Sequence, residues 1–82
     1  MNNNMIPKLY ETNKFTKWEK NIALWQLNMC GDWTKMLIQF ICKCDRENRE
    51  KLRTGFPEAV AAVESWLMGD LAKRLQDFGL NV

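Results

Sequence analysis

Three cysteines are the side chains of this sequence best suited to metal binding or nucleophilic chemistry: Cys30, Cys42 and Cys44. Zinc in proteins takes about four tetrahedral ligands, most often cysteine or histidine. The sequence has no histidine, and helix residues two apart point roughly 200° apart, so Cys42 and Cys44 cannot chelate one ion. We therefore expect no metal and no other cofactor. We expect the thiols to fill small core positions, with Cys30 the most exposed.

Acid–base and nucleophilic catalysis lack the residues that usually carry them. The absence of histidine removes the common general base at neutral pH. The carboxylates Asp45, Glu47 and Glu50 alternate with basic residues, which is the usual pattern of surface ion pairing. The sequence also has no glycine-rich phosphate loop. It therefore predicts a protein that is not an enzyme.

Four basic residues at helical spacing form a candidate charged face: Lys43, Arg46, Arg49 and Arg53. If one helix runs through all four, steps of 3, 3 and 4 place them on one side, where they could contact phosphates or an acidic partner. The net charge is only +2, and the helix that follows opens PEAVAAVESW, an apolar and acidic run that is poorly suited to reading a DNA groove. Nucleic-acid binding by a small helical module is therefore the alternative function.

Aromatic residues are frequent, with four tryptophans and four phenylalanines among 82 residues. Such an excess builds either a core of a few bulky groups or an aromatic surface for a partner. Trp18 and Trp25 share a helical stripe, and Trp66 flanks another, so these three are the candidate protein interface. The first functional hypothesis is a small non-enzymatic accessory protein that docks on another protein.

Helix signals divide the chain into four segments, at about residues 16–30, 33–44, 46–54 and 57–78. Thr16 with Glu19 has the spacing of a capping box, and Asp32 and Asp45 are candidate N-caps. Three glycines, Gly31, Gly55 and Gly79, are predicted to end helices in the left-handed conformation. Pro57 suits the first turn of a new helix. These signals predict an all-α fold, a compact bundle of three or four helices with short connections.

The segment 33–44 is apolar around much of its girth, which predicts the central and most buried helix. Phe40 lies at its middle and is predicted to be among the most sensitive core positions. The run MLIQFIC could also form a buried strand, but helix is favoured because no second such run exists to pair with it. Gly69 interrupts the last helix, either to admit a neighbouring helix closely or to mark a kink.

Residues 45–66 resemble a segment of small phage and prophage proteins with the pattern D-x-x-N-x-x-K-L-x-x-G-F-P-E-x-V. The matching positions are Asp45, Asn48, Lys51, Leu52, Gly55, Phe56, Pro57, Glu58, Val60 and Trp66. The resemblance implies a phage or prophage context and assigns no active site. The first half of the chain, rich in cysteine and tryptophan, lies outside it.

The length indicates one helical domain over residues 1–82, with residues 1–12 a loose or arm-like N-terminus. No apolar run approaches the roughly 20 residues of a membrane span. An odd number of cysteines favours a reducing compartment, so we expect the cytoplasm of a bacterium or of an infected host cell. Because an 82-residue bundle has little interior, some apolar surface should remain uncovered. Such surface favours a homodimer, built on tryptophans of the first predicted helix, 16–30, or on the Trp66 side of the last one.

Overall fold

A computed structural model describes residues 5–82, and this part of the chain is entirely helical, without strands. Six helices follow one another: α1 (Ile6–Glu11), α2 (Lys17–Gln26), α3 (Asp32–Lys43), α4 (Arg46–Gly55), α5 (Pro57–Leu67) and α6 (Asp70–Phe78). The predicted all-α class is confirmed. The predicted number of three or four helices is too low for two reasons. The N-terminal segment forms an additional helix, α1, and the predicted last helix, 57–78, is divided into α5 and α6.

The division of the last helix occurs at Gly69, which has a φ of 86°. This left-handed conformation is one that glycine adopts easily and residues with a side chain rarely do. Because it differs from the right-handed conformation of an α-helix, the helix is interrupted at Gly69. The amide of Met68 donates to the Glu64 carbonyl, and the amide of Gly69 donates to the Trp66 carbonyl. These two bonds close α5, and α6 begins at the residue after Gly69.

The predicted helix starts at Thr16 and Asp45 are confirmed by their capping bonds. The Thr16 hydroxyl accepts from the Glu19 amide at 3.2 Å, while the Glu19 carboxylate accepts from the Thr16 amide at 2.9 Å. The Asp45 carboxylate accepts from the Asn48 amide at 2.8 Å. Pro57 is the first residue of α5, as predicted. Asp32 instead lies inside the first turn of α3, and Gly31 precedes it as the N-cap.

Of the three predicted glycine stops, the one at Gly31 is wrong, while helices do end at Gly55 and at Gly79. Only Gly79 of these takes the predicted left-handed conformation. The helix α2 ends at Gln26, where Asn28 takes the left-handed conformation with φ 57° and the Met29 amide donates to the Leu24 carbonyl at 2.8 Å. Gly31 has a φ of −72°, and Gly55 is the last residue of α4 with no positive φ. Gly79, with φ 119°, does end α6 as predicted.

The central helix is α5, which packs against α2, α3, α4 and α6. Its inward residues are small and almost fully buried: Ala59, Val60, Ala62 and Val63. Small side chains let neighbouring helices approach closely from several sides, so a short helix can serve as the common support. The larger side chains of the core come from the helices around it, including Ile22 of α2 and Leu71 and Leu75 of α6.

The helix α3 is not the central one, contrary to the prediction. Ile38 and Ile41 face the core and are fully buried, whereas Phe40 is 58% exposed. The apolar residues of α3 therefore form two stripes on different sides of the helix, and only one stripe meets the rest of the fold. An 82-residue chain has too few helices to cover both.

The N-terminal segment contributes to the core through α1. Ile6 is 8% exposed and Leu9 is fully buried, while Tyr10 points into solvent. Residues 6–11 are thus an ordered helix, and residues 1–4 lie outside the described part of the chain. Within residues 5–82, none of the helices has the length and apolar character that crossing a lipid bilayer requires.

Candidate protein-interaction surface

The most prominent apolar surface lies along the outer stripe of α3. Trp33 is 61% exposed, Met36 67% and Phe40 58%. Residues 33, 36 and 40 follow one another at helical spacing, so their side chains lie on one side of α3. Phe56, at the corner between α4 and α5, is 37% exposed, and its ring centroid lies 6.2 Å from that of Trp33.

This surface forms one wall of a cleft between α3 and α4. Both helices pack on α5, and they contact α5 far more than each other, which leaves the space between them open. We name this space the α3–α4 cleft and define it by Trp33, Met36, Leu37, Phe40, Leu52 and Phe56. Leu37 and Leu52 are the half-buried members and join the cleft to the core.

The cleft deepens at the C-terminal end of α3. A groove of about 420 Å³ opens there, and its apolar lining comes from Phe40, Cys44 and Leu52. The polar residues that line it are Lys43, Asp45, Asn48 and Lys51. The Asp45 carboxylate is already bonded to the Asn48 amide. The end of the cleft is therefore apolar inside and carries two lysines.

The exposed apolar area is comparable to the largest apolar patch on a typical monomer. If a large side chain carries about 200 Å², the exposed fractions of Trp33, Met36, Phe40 and Phe56 leave on the order of 450 Å² in water. Contiguous apolar patches of roughly 300–600 Å² on monomers are often functional. Nothing in the packing of residues 5–82 covers this one.

The three tryptophans predicted as an interface occupy a different environment. Trp18, Trp25 and Trp66 are half-buried and pack against the core. Only Trp18 reaches the cleft, where its ring centroid lies 6.5 Å from that of Trp33. Trp33 was not among the predicted interface residues. Its helical spacing to Met36 and Phe40, on the side of α3 away from Ile38 and Ile41, is the signal that identifies it.

The predicted basic face is divided by the turn at Cys44 and Asp45. Lys43 ends α3 and lines the groove of the α3–α4 cleft, whereas Arg46, Arg49 and Arg53 lie on α4. The condition for a shared face, one helix through all four residues, is not met, because the Cys44 backbone is extended and Asp45 starts a new helix.

Two of the three α4 arginines are held by Glu64 of α5. Arg53 Nη2 lies 2.7 Å from Glu64 Oε2 and 2.6 Å from Glu50 Oε2. Arg49 Nη1 lies 3.7 Å from Glu64 Oε2, and Arg49 Nη2 donates to the Cys44 carbonyl at 3.3 Å. These contacts join α4 to α5 and to the end of α3. They also neutralise most of the charge that the face would offer to phosphate groups.

The hydrogen bond from Arg53, reinforced by the charges of Arg53 and Arg49, lowers the pKa of the Glu64 carboxyl below its ordinary value, against a smaller effect of burial. The folded state therefore binds a proton at Glu64 more weakly than the unfolded chain does. By linkage, the contribution of this carboxylate to stability is complete above the unfolded pKa of about 4.5 and is lost as the pH falls through the folded pKa.

We expect Glu64→Gln to lower the free energy of unfolding more at pH 7 than at pH 3, so that the difference between the two proteins narrows in acid. Urea unfolding followed by circular dichroism between pH 7 and pH 3 measures this. Glu47→Gln is the control, since the Glu47–Lys51 pair at 3.8 Å is highly exposed. A stability difference between wild type and Glu64→Gln that stays constant with pH would contradict the assignment.

A second charged cluster joins α2 to α6 and is structural in the same way. Arg74 donates to Glu19 and lies over the Phe15 ring at 5.6 Å from its centroid, with Asp70 at 3.4 Å on the other side. Burial opposes ionisation of Glu19, but bonds from Arg74 and the Thr16 amide outweigh it and lower the pKa of Glu19. Both partners of this pair are satisfied within the fold.

The cysteines take half-buried positions, and Cys30, Cys42 and Cys44 are all free thiols. Burial raises the pKa of Cys42 above its ordinary value, against a smaller effect of Arg49, which disfavours the nucleophilic thiolate. Within residues 5–82, the cysteines and carboxylates form no group that could hold a metal ion.

Comparison of the chain with protein-family models, with curated proteins and with solved structures gives no match.

Proposed function

We propose that this protein is a non-enzymatic interaction protein that acts by docking on another protein through the α3–α4 cleft. The observation that carries the proposal is the exposed stripe of Trp33, Met36 and Phe40, joined to Phe56 and to a groove with apolar walls. Aromatic residues and methionine are enriched at the centres of protein interfaces. Exposing them costs solubility, so a partner is the simplest physical reason for them.

Nucleic-acid binding through the arginines of α4 is the less favoured function. Arg49 and Arg53 share Glu64, and Arg53 also pairs with Glu50, so contact with phosphates would have to break these pairs. A salt-dependent shift of labelled DNA or RNA would nevertheless support that function. The proposal also includes a phage or prophage origin, from the resemblance of residues 45–66, and a cytoplasmic location.

A photo-crosslinking amino acid in place of Met36 tests the proposed function directly. Met36 is 67% exposed within the cleft, and Met68, 84% exposed at the corner between α5 and α6, provides a matched control position. We expect irradiation of cells that produce the position-36 variant to give covalent adducts with protein, identified by mass spectrometry. The position-68 variant should give few adducts or none.

Each outcome of this experiment has a defined meaning. Protein adducts that depend on position 36 and are lost when Trp33→Ser is added would support docking through the cleft. Equal labelling from positions 36 and 68 would show that the cleft is not selective. Adducts with nucleic acid alone, or no adducts from position 36, would overturn the proposal.

A further inference from the structure

We infer that the protein that occupies the α3–α4 cleft is a second copy of this chain, which docks with its α3 antiparallel to the first. This inference rests on the proposed function and names the partner for the same surface. The interface of the expected homodimer is then the outer stripe of α3. It is not the surface of Trp18, Trp25 and Trp66, which are half-buried.

The helix α3 carries both a projecting group and a groove that could receive it. Trp33 projects at the N-terminal end of the helix, and the groove beside Phe40, Cys44 and Leu52 lies at the C-terminal end. Positions 33 and 40 are about 10 Å apart along the axis at 1.5 Å per residue. A two-fold interface pairs the same two patches twice, so each Trp33 meets the groove of the other copy.

The charges at the two ends of α3 favour the same antiparallel arrangement. With the two-fold axis between Met36 and Leu37, Lys43 of one copy comes within about 3 Å, measured along the helix axis, of Asp32 of the other. On a helical projection at 100° per residue, positions 32 and 43 fall on the same flank of the stripe. Each end of the interface would then hold one opposite-charge pair. The positive end of each α3 dipole would also lie beside the negative end of the other, which is favourable.

The size of the exposed surface also suits a second copy of the chain. A standard interface buries about 800 Å² on each partner, of which roughly 55–65% is apolar. The exposed apolar area of the α3–α4 cleft, on the order of 450 Å² by the same side-chain areas, matches the apolar share of one such interface. A second copy seated on α3 would therefore cover the whole stripe and leave no large remainder.

Sedimentation equilibrium from low to high micromolar concentration tests the inference. We expect wild type to behave as a dimer of the 9.7 kDa chain at high concentration. Met36→Glu should weaken the association by at least tenfold, because it places two carboxylates beside the two-fold axis. Met68→Glu, the matched control outside the cleft, should leave the association constant within twofold of wild type, and the circular dichroism spectra of all three proteins should agree.

Disulfide trapping tests, independently of affinity, whether position 36 of α3 lies at the two-fold axis. In a protein with the three cysteines replaced by alanine, Met36→Cys should form a disulfide between two copies under mild oxidation, because position 36 lies next to the axis. Tyr10→Cys, equally exposed on α1, should not. Confirming the fold of the alanine variant by circular dichroism makes a negative result informative.

The failures of the two proposals can be distinguished. A monomer at high micromolar concentration, or a dimer that is indifferent to Met36→Glu, would overturn the second copy as the occupant. If position 36 then crosslinks to a different protein, the proposed docking function stands and only its partner changes. If position 36 crosslinks to nothing, both proposals fail.

Discussion

Replacing Ile41 with alanine should lower the free energy of unfolding by about 2–5 kcal/mol, the range for truncating a fully buried isoleucine. Ile41 is fully buried and belongs to the stripe of α3 that faces the core. The side chain that is removed leaves a cavity that the neighbouring helices fill only in part. A domain of this length has a total stability on the order of 4–12 kcal/mol, so the variant should lose a large fraction of its stability and unfold at a clearly lower urea concentration than wild type.

Phe40→Ala, the neighbouring substitution, should change the free energy of unfolding by less than about 1 kcal/mol. The Phe40 ring is 58% exposed, so most of it is already in water before the change. Urea unfolding of both variants, at a concentration low enough to keep the chains monomeric, measures the contrast. Equal losses for Ile41→Ala and Phe40→Ala would mean that α3 is buried on both sides, which is the arrangement that its composition alone predicts.

Replacing Leu9 with alanine should cost about 2–5 kcal/mol in the free energy of unfolding, again as a buried leucine. The helix α1 has only six residues, too few to be stable in isolation. Its attachment depends on Ile6 and Leu9, which are 8% and 0% exposed. We therefore expect Leu9→Ala both to destabilise the fold and to release α1, which hydrogen exchange of the amides in residues 6–11 would detect.

Tyr10→Ala is the control for α1, since Tyr10 is 59% exposed beside a fully buried Leu9. Its effect on unfolding should stay below about 1 kcal/mol, with normal amide protection in α1. If Leu9→Ala were as mild as Tyr10→Ala, α1 would not be part of the cooperative core. The N-terminus would then be the loose arm that its sequence also allowed.

The helix starts were predictable because capping is a local interaction. Thr16 with Glu19, and Asp45 with the Asn48 amide, each satisfy backbone groups within three residues. Pro57 fits the first turn for an equally local reason, its fixed φ. Such signals depend on no distant part of the chain, and they were sufficient to predict an all-helical protein.

The helix ends were less predictable because several residues can take the left-handed conformation at little cost. Gly31 and Asn28 compete to end α2, and the chain uses Asn28. Gly69 could have kinked a continuous helix, but its left-handed conformation divides the helix in two, and Leu71 and Leu75 of α6 lie in the core. The choice between these stops is made by the packing of the helices that they connect, which is not a local property.

The functional surface also depends partly on local properties of the sequence and partly on the packing of the helices. From the sequence alone came the fold class, the helix starts, the aromatic excess and the lack of histidine-based chemistry, since these follow from composition and from contacts within one turn. The tertiary structure alone decided that α5, rather than α3, is central, that Glu64 engages Arg49 and Arg53, and that Trp33, rather than Trp18, Trp25 or Trp66, is the exposed tryptophan. The reason is that α3 has two apolar stripes of similar strength, and burial depends on which stripe the other helices can reach.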